Sequence, residues 1–218
     1  MTPSERKERS EKILKKKGIG INKNLPLIED ASQVKLRSLD DICKRAIAAL
    51  LCTQIGIELG ENKTDETDIF VNLIKHFGVE DCLNAKEQKV VNGKGSQQDI
   101  TDVVWEYECY WSLLWAVGLV EDITDASSIC DCTAAIRAVS QCEDFDDFKS
   151  RCSLRSTDEI LDMLDLYYRY HWAVVQNEHI DKKCPIGDLE GDVVFERRRG
   201  LEWLISDKDD WHDIELHT

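Results

Sequence analysis

A chain of 218 residues with 42% hydrophobic and 33% charged side chains and only three prolines can bury a sizeable core and is too apolar to be disordered. Its net charge of −15 argues against a nucleic-acid binder, and no stretch approaches the roughly 20 consecutive apolar residues of a membrane span. The opening MTPSERKERSEKILKKKG is charged where a secretory signal would be apolar, and nine irregularly spaced cysteines make no disulfide framework, so a cytoplasmic protein with reduced thiols is expected.

In chain order, Thr2-Pro3-Ser4-Glu5 is a helix start with Pro at the first helical position, and it predicts a helix over 3–17. Residues 1–17 hold seven Lys or Arg against three Glu, a local +4 that leaves −19 for the rest; the interleaved Glu5, Glu8 and Glu11 make this an ordinary solvated helix. Residues 18–37 lack helical periodicity and contain Pro26, which predicts an extended strap. LRSLDDI at 36–42 then recurs as LRSTDEI at 154–160. In each copy a Ser stands three residues before a carboxylate (Ser38 with Asp41, Ser156 with Glu159), and Asp40 and Asp158 sit at the positive end of the helix dipole. Beyond the heptapeptide the two copies share only helical periodicity, so the repeat is a start signal and not a duplicated site.

The first copy opens a helix over 39–59 whose broad apolar stripe, from Leu39 and Ile42 to Leu50 and Ile57, suits a central position. Further helices are predicted at 66–77, 86–91, 97–118 (started by Ser96-Gln97-Gln98-Asp99 and closed by Gly118), 132–139, 144–150, 157–178 and 191–205, with a linker candidate at 120–131. The aspartates at 207, 209, 210 and 213 around Trp211 suggest a solvated acidic tail. The fold class is therefore all-α: a single compact multi-helix domain with an extended strap after the first helix, divided as a basic N-terminal helix, 1–17, and a helical domain, 18–218.

Three segments mix aromatics with charges beyond what core filling requires: WEYECYWSLLW (105–115), LYYRYHWAVV (166–175) and FERRRGLEWL (195–204). Glu108 shares a helix face with Trp111 and Trp115, His171 lies on the stripe of Leu164, Tyr168 and Val175, and Arg197 shares a face with Val194, Leu201 and Leu204. Charges on buried faces must be paired, so these helices are expected to meet, with Glu108 or Glu196 answering Arg197, Arg198 or Arg169. Two readings stand: a structural ion-pair network flanked by tryptophans, or a pocket in which an Arg receives an anionic ligand and His171 moves a proton. Metal motifs are lacking, since Cys130-x-Cys132 has no second pair; neither P-loop, dinucleotide-binding nor serine-hydrolase signatures occur, and no cofactor is expected.

In order and spacing, RKERSEKILKKKGIGINKNLPLIED, KLRSLDDICKRA, WEYECYWSLLWAVGLV, LRSTDEILDMLDLYYRYHWA, VVFERRRGLEWLI and the closing DWHDI resemble the bacterial domain-of-unknown-function family numbered 4272, over nearly the whole chain. The resemblance implies a cytoplasmic helical protein of no established activity. It picks out Glu108, Trp115, Tyr168, Arg169, His171, Trp172, Glu196, Arg197 and Trp203, all within the same three aromatic and charged segments. Two functions are compatible with these residues: a non-catalytic accessory domain that binds a protein partner, basic partners included, through its acidic surface, or an enzyme or small-ligand binder using the Glu, His and Arg cluster on an anionic substrate.

Overall fold

The computed structural model describes residues 1–63 and 66–218. Among them nine α-helices run in order: α1 Pro3–Lys16, α2 Leu39–Gly60, α3 Thr67–His76, α4 Ala85–Val91, α5 Gln97–Ala116, α6 Cys132–Ser140, α7 Phe145–Ser150, α8 Thr157–Val175 and α9 Gly191–Trp203. The described residues form no strand; Ile19 and Ile186 make one isolated antiparallel bridge. Among the described residues no helix is long and apolar enough to cross a membrane.

Helix starts follow the capping logic. Thr2, Ser96 and Ser156 each accept from the N3 amide while the N3 carboxylate reaches back to the cap amide. At Ser38 only half of the box forms. Its hydroxyl accepts from Asp41 N, but the Asp41 carboxylate takes the Ser38 hydroxyl at 2.6 Å and leaves the cap amide alone. Asn84 and Glu87 build a further full box at α4. Gly118, at φ 80°, ends α5 two residues before the sequence-based boundary; its N–H meets Trp115 O, and Leu119 N–H meets Leu114 O, satisfying two end carbonyls. Beyond α8 the chain continues as a π turn, Gln176–Ile180, which takes up the last residues assigned to that helix.

Small side chains on α2, Ala46, Ala48 and Ala49, let neighbours approach on several sides, and α2 packs chiefly on α5, which in turn packs on α9 and α9 on α8. The α5–α9 contact depends on Gly200: a Cβ there would lie 2.7 Å from the Cys109 carbonyl oxygen. Helix α1 lies on α8, where the wholly buried Arg6 bonds Asp158 at 3.0 Å and Asp162 at 2.8 Å. Between α1 and α2 the chain makes one 3₁₀ turn, Ala31–Gln33, and is tied down by Lys7 to the carbonyls of Lys23 and Leu25. Arg37 ties its far end, stacked 4.0 Å above the Trp203 ring and bonded to Trp203 O.

Candidate functional site

Helices α5 and α9 bring Glu108 and Arg197 together as a buried ion pair, Oε2 to Nε 2.7 Å. The rest of each group is spent on the connection after α5 and on Tyr167 of α8. Glu108 Oε1 accepts from Cys130 N at 2.7 Å, while Arg197 donates to Asp125 O at 2.5 Å, Ser128 O at 3.3 Å and the Tyr167 hydroxyl at 3.3 Å. A guanidinium that answers one carboxylate and two loop carbonyls acts as a fastener of residues 125–130 onto the helices. Trp115 is buried beneath the Arg155 guanidinium, 4.9 Å from its ring.

His171 does not join this pair. Its Nδ1 lies 2.6 Å from Arg198 and its ring stands edge-on to Phe195 at 5.3 Å. Burial, then Arg198 and Arg199, push the imidazole down to about 4, so it is neutral and accepts from Arg198. Arg198 also bonds Glu202 and lies 4.8 Å over the half-buried Tyr168 ring.

Arg169 pairs not with Glu108 or Glu196 but with buried Asp165 one turn back, through two bonds of 2.9 and 2.7 Å. Glu196 is claimed by Arg199 at 2.7 Å and by the Cys109 thiol at 3.3 Å, and burial raises its carboxyl. Trp172 is half-buried against the core, and Trp203 is buried with its indole N–H on Asp209 O. The nine residues singled out in the sequence thus divide among separate pairings, because an arginine reaches a carboxylate one turn away on its own helix more readily than one on another helix.

A second buried constellation lies outside those nine. Arg45 of α2 forms an ion pair with Glu87 of α4; Glu106 of α5 accepts from Asn84 at 2.9 Å and lies 2.7 Å from His212 Nε2. Both carboxylates are fully buried with one guanidinium between them, and burial pushes Glu87 up to about 8 and raises Glu106. The Asn84-x-x-Glu87 cap is legible in the sequence; the reach of Glu106 and His212 is not. His212 arrives because Trp211 is buried against Trp203, which corrects the solvated-tail expectation: an indole among the aspartates anchors the segment.

Two open clefts meet at Arg37 and Asp41. One, of about 660 Å³, is lined in part by Glu29, Lys35 and Asp207. The other, of about 480 Å³, is rimmed by Asp81, Asp209, Asp210 and Asp213. All nine cysteines are free, and among the described residues no group of three or more His, Cys, Asp or Glu is arranged to hold a metal ion.

The model of one protein family, described as "Domain of unknown function (DUF4272)", matches residues 6–214. No curated protein and no solved structure matches the chain.

Proposed function

The chain belongs to the DUF4272 family, and from its geometry we propose that it is a non-catalytic interaction domain that binds a basic protein partner through its acidic surface. One observation carries the reading: the exposed carboxylates of Asp81, Asp209 and Asp213 line one cleft and make no ion pair with any described residue. Among the described residues the only cations lining that cleft, Arg37 and Arg45, are already bound to chain carbonyls or to Glu87. A cleft of that sign raises the local concentration of a cationic partner and speeds its docking.

The alternative, an enzyme or small-ligand binder acting on an anionic substrate through Glu108, His171 and Arg197, has less support. Arg197 and Glu108 spend their contacts on each other and on the loop, and His171 is bonded to a different arginine.

The test uses a labelled oligolysine peptide and fluorescence anisotropy at roughly 0.01 M and roughly 1 M salt, where charges act over about 30 Å and about 3 Å. Binding is expected at low salt only, and weakened by the triple change Asp81→Asn, Asp209→Asn, Asp213→Asn. Equal weakening by Glu8→Gln, Asp68→Asn and Asp188→Asn, which lie outside the cleft, would make the cleft irrelevant.

A further inference from the structure

Among the described residues, seven buried side-chain nitrogens or oxygens lack a hydrogen-bond partner. Three of them, Arg45 Nε, Glu106 Oε2 and Trp211 Nε1, lie in the constellation around Glu106 and His212, and a fourth, Arg199 Nε, belongs to a residue lining the cavity beside it. Unsatisfied buried groups are few in native proteins and mark sites when they gather. The cavity, of about 420 Å³, lies between α4, α5 and α9 and shares no lining residue with the acidic cleft. Its size is that of a small-molecule site.

The groups around it have an unequal share of partners. Its two formal cations are neutralised by the chain: Lys86 by Asp102, and Arg199 by both oxygens of Glu196 at 2.7 Å, with its guanidinium 4.5 Å over Phe195. Asp192, exposed in the first turn of α9, makes no ion pair with any described residue. No cation among the described residues lies over the face of the half-buried Trp105 ring. Burial, then Arg199 and Lys86, lower the His212 imidazole from its usual range. Its Nε2 lies 2.7 Å from Glu106 Oε1, and in the tautomer whose Nε2–H donates to that oxygen Nδ1 keeps a lone pair. The cavity therefore offers a visitor a free carboxylate, an aromatic face and a bare acceptor nitrogen. Behind these stands the buried Glu106 carboxylate, against which Glu87 and Trp211 lie without closing a bond to its Oε2.

We propose that this cavity binds a primary ammonium group, with Asp192 as counter-ion, Trp105 as aromatic wall and His212, oriented by Glu106, as acceptor. An ammonium supplies three donors and a compact charge, which matches that set; a carboxylate or phosphate would meet only cations that are already paired. The group belongs either to a free amine or to a lysine side chain. The inference goes beyond the acidic-cleft reading and does not depend on it.

Calorimetric titration of the full chain with phenethylammonium, Nα-acetyl-lysine methylamide and phenylpropionate separates the sources. Phenethylammonium is expected to bind; Asp192→Asn should weaken it roughly tenfold, as for one partly desolvated ion pair, and Trp105→Leu should weaken it as well. Stronger binding of the lysine derivative would assign the ammonium to a side chain of a protein. The triple cleft variant should bind phenethylammonium as the unaltered chain does, so failure of the cleft reading and failure of this one are told apart. Binding of phenylpropionate as tightly as either ammonium, no binding of either ammonium, or an affinity unmoved by Asp192→Asn overturns the proposal; because Asp192 is exposed, that variant tests it even if Trp105→Leu does not fold.

Discussion

Replacing Arg197 with Met keeps the length of the side chain and removes its charge and its donors. Four acceptors then lose a partner: Glu108 Oε2, the carbonyls of Asp125 and Ser128, and the Tyr167 hydroxyl. Glu108 is only 2% exposed and would keep a single bond, from Cys130 N. Breaking a buried pair from one side costs about 3–5 kcal/mol, because the surviving charge stays out of water without its counter-ion. At this chain length each kcal/mol moves the melting temperature by about 2–4 °C, so Arg197→Met should melt roughly 6–20 °C lower.

Urea denaturation followed by far-UV circular dichroism measures the loss. Adding Glu108→Leu to Arg197→Met removes the stranded charge, and the double variant should recover about 1 kcal/mol or more of it, the sign of direct coupling. Because the pair fastens residues 125–130, Arg197→Met should also speed hydrogen exchange at the Cys130 amide, which bonds Glu108. A variant within about 1 kcal/mol of the unaltered chain, with the loop still protected, would refute the assignment of Glu108 and Arg197 to structure.

The buried titratable groups set two further outcomes. His171 is held down to about 4 by burial and by Arg198 and Arg199, so below about pH 6.5 the unfolded chain binds a proton that the folded one refuses. Stability should fall from there toward about pH 4, by up to about 3 kcal/mol; in His171→Gln the urea midpoint should change less over that range, and an unchanged slope would sink the assignment. Glu87 has the opposite sign: burial raises it to about 8, so the folded chain keeps a proton that the unfolded one loses above about pH 4.5, and stability drains as pH rises through about 8. Glu87→Gln, neutral at every pH, should flatten that loss between about pH 4.5 and about pH 8, and a variant that still loses stability in step with the unaltered chain would show that the proton sits elsewhere.

Where each helix begins is readable because capping is local: a Ser, Thr or Asn and the carboxylate three residues later need no knowledge of the rest of the fold. In the aromatic and charged segments three of the four arginines are answered equally locally, closer along the chain than the interhelical pairs expected from the sequence. Arg169 answers Asp165 and Arg198 answers Glu202 at four residues, and Arg199 answers Glu196 at three, spacings at which side chains on one helix meet. The fourth, Arg197, answers Glu108, which requires knowing that α5 and α9 pack together, and the charges on their apolar faces anticipate that contact. Glu106 escapes a reading of the sequence for a geometrical reason. Two residues along a helix turn a side chain by about 200°, so Glu106 faces α4 and the C-terminal segment while Glu108 faces α9 and the loop.

The two networks on opposite sides of α5 differ in how completely their groups are satisfied, and that difference separates a structural role from a functional one better than residue type does. Around Glu108 and Arg197 every buried polar atom of the pair has a partner, which leaves nothing to offer a ligand. Around Glu106 and His212 one guanidinium stands against two carboxylates, several donors and acceptors are left over, and a cavity opens beside them. Leaving buried polar groups unpaired costs about 1–3 kcal/mol apiece, and a fold that needed the cluster only for stability would gain by replacing it with apolar side chains. The likeness of composition between the two clusters is therefore misleading. Both hold Glu and Arg beside aromatics, and only the one left incomplete has chemistry to spare for a second molecule.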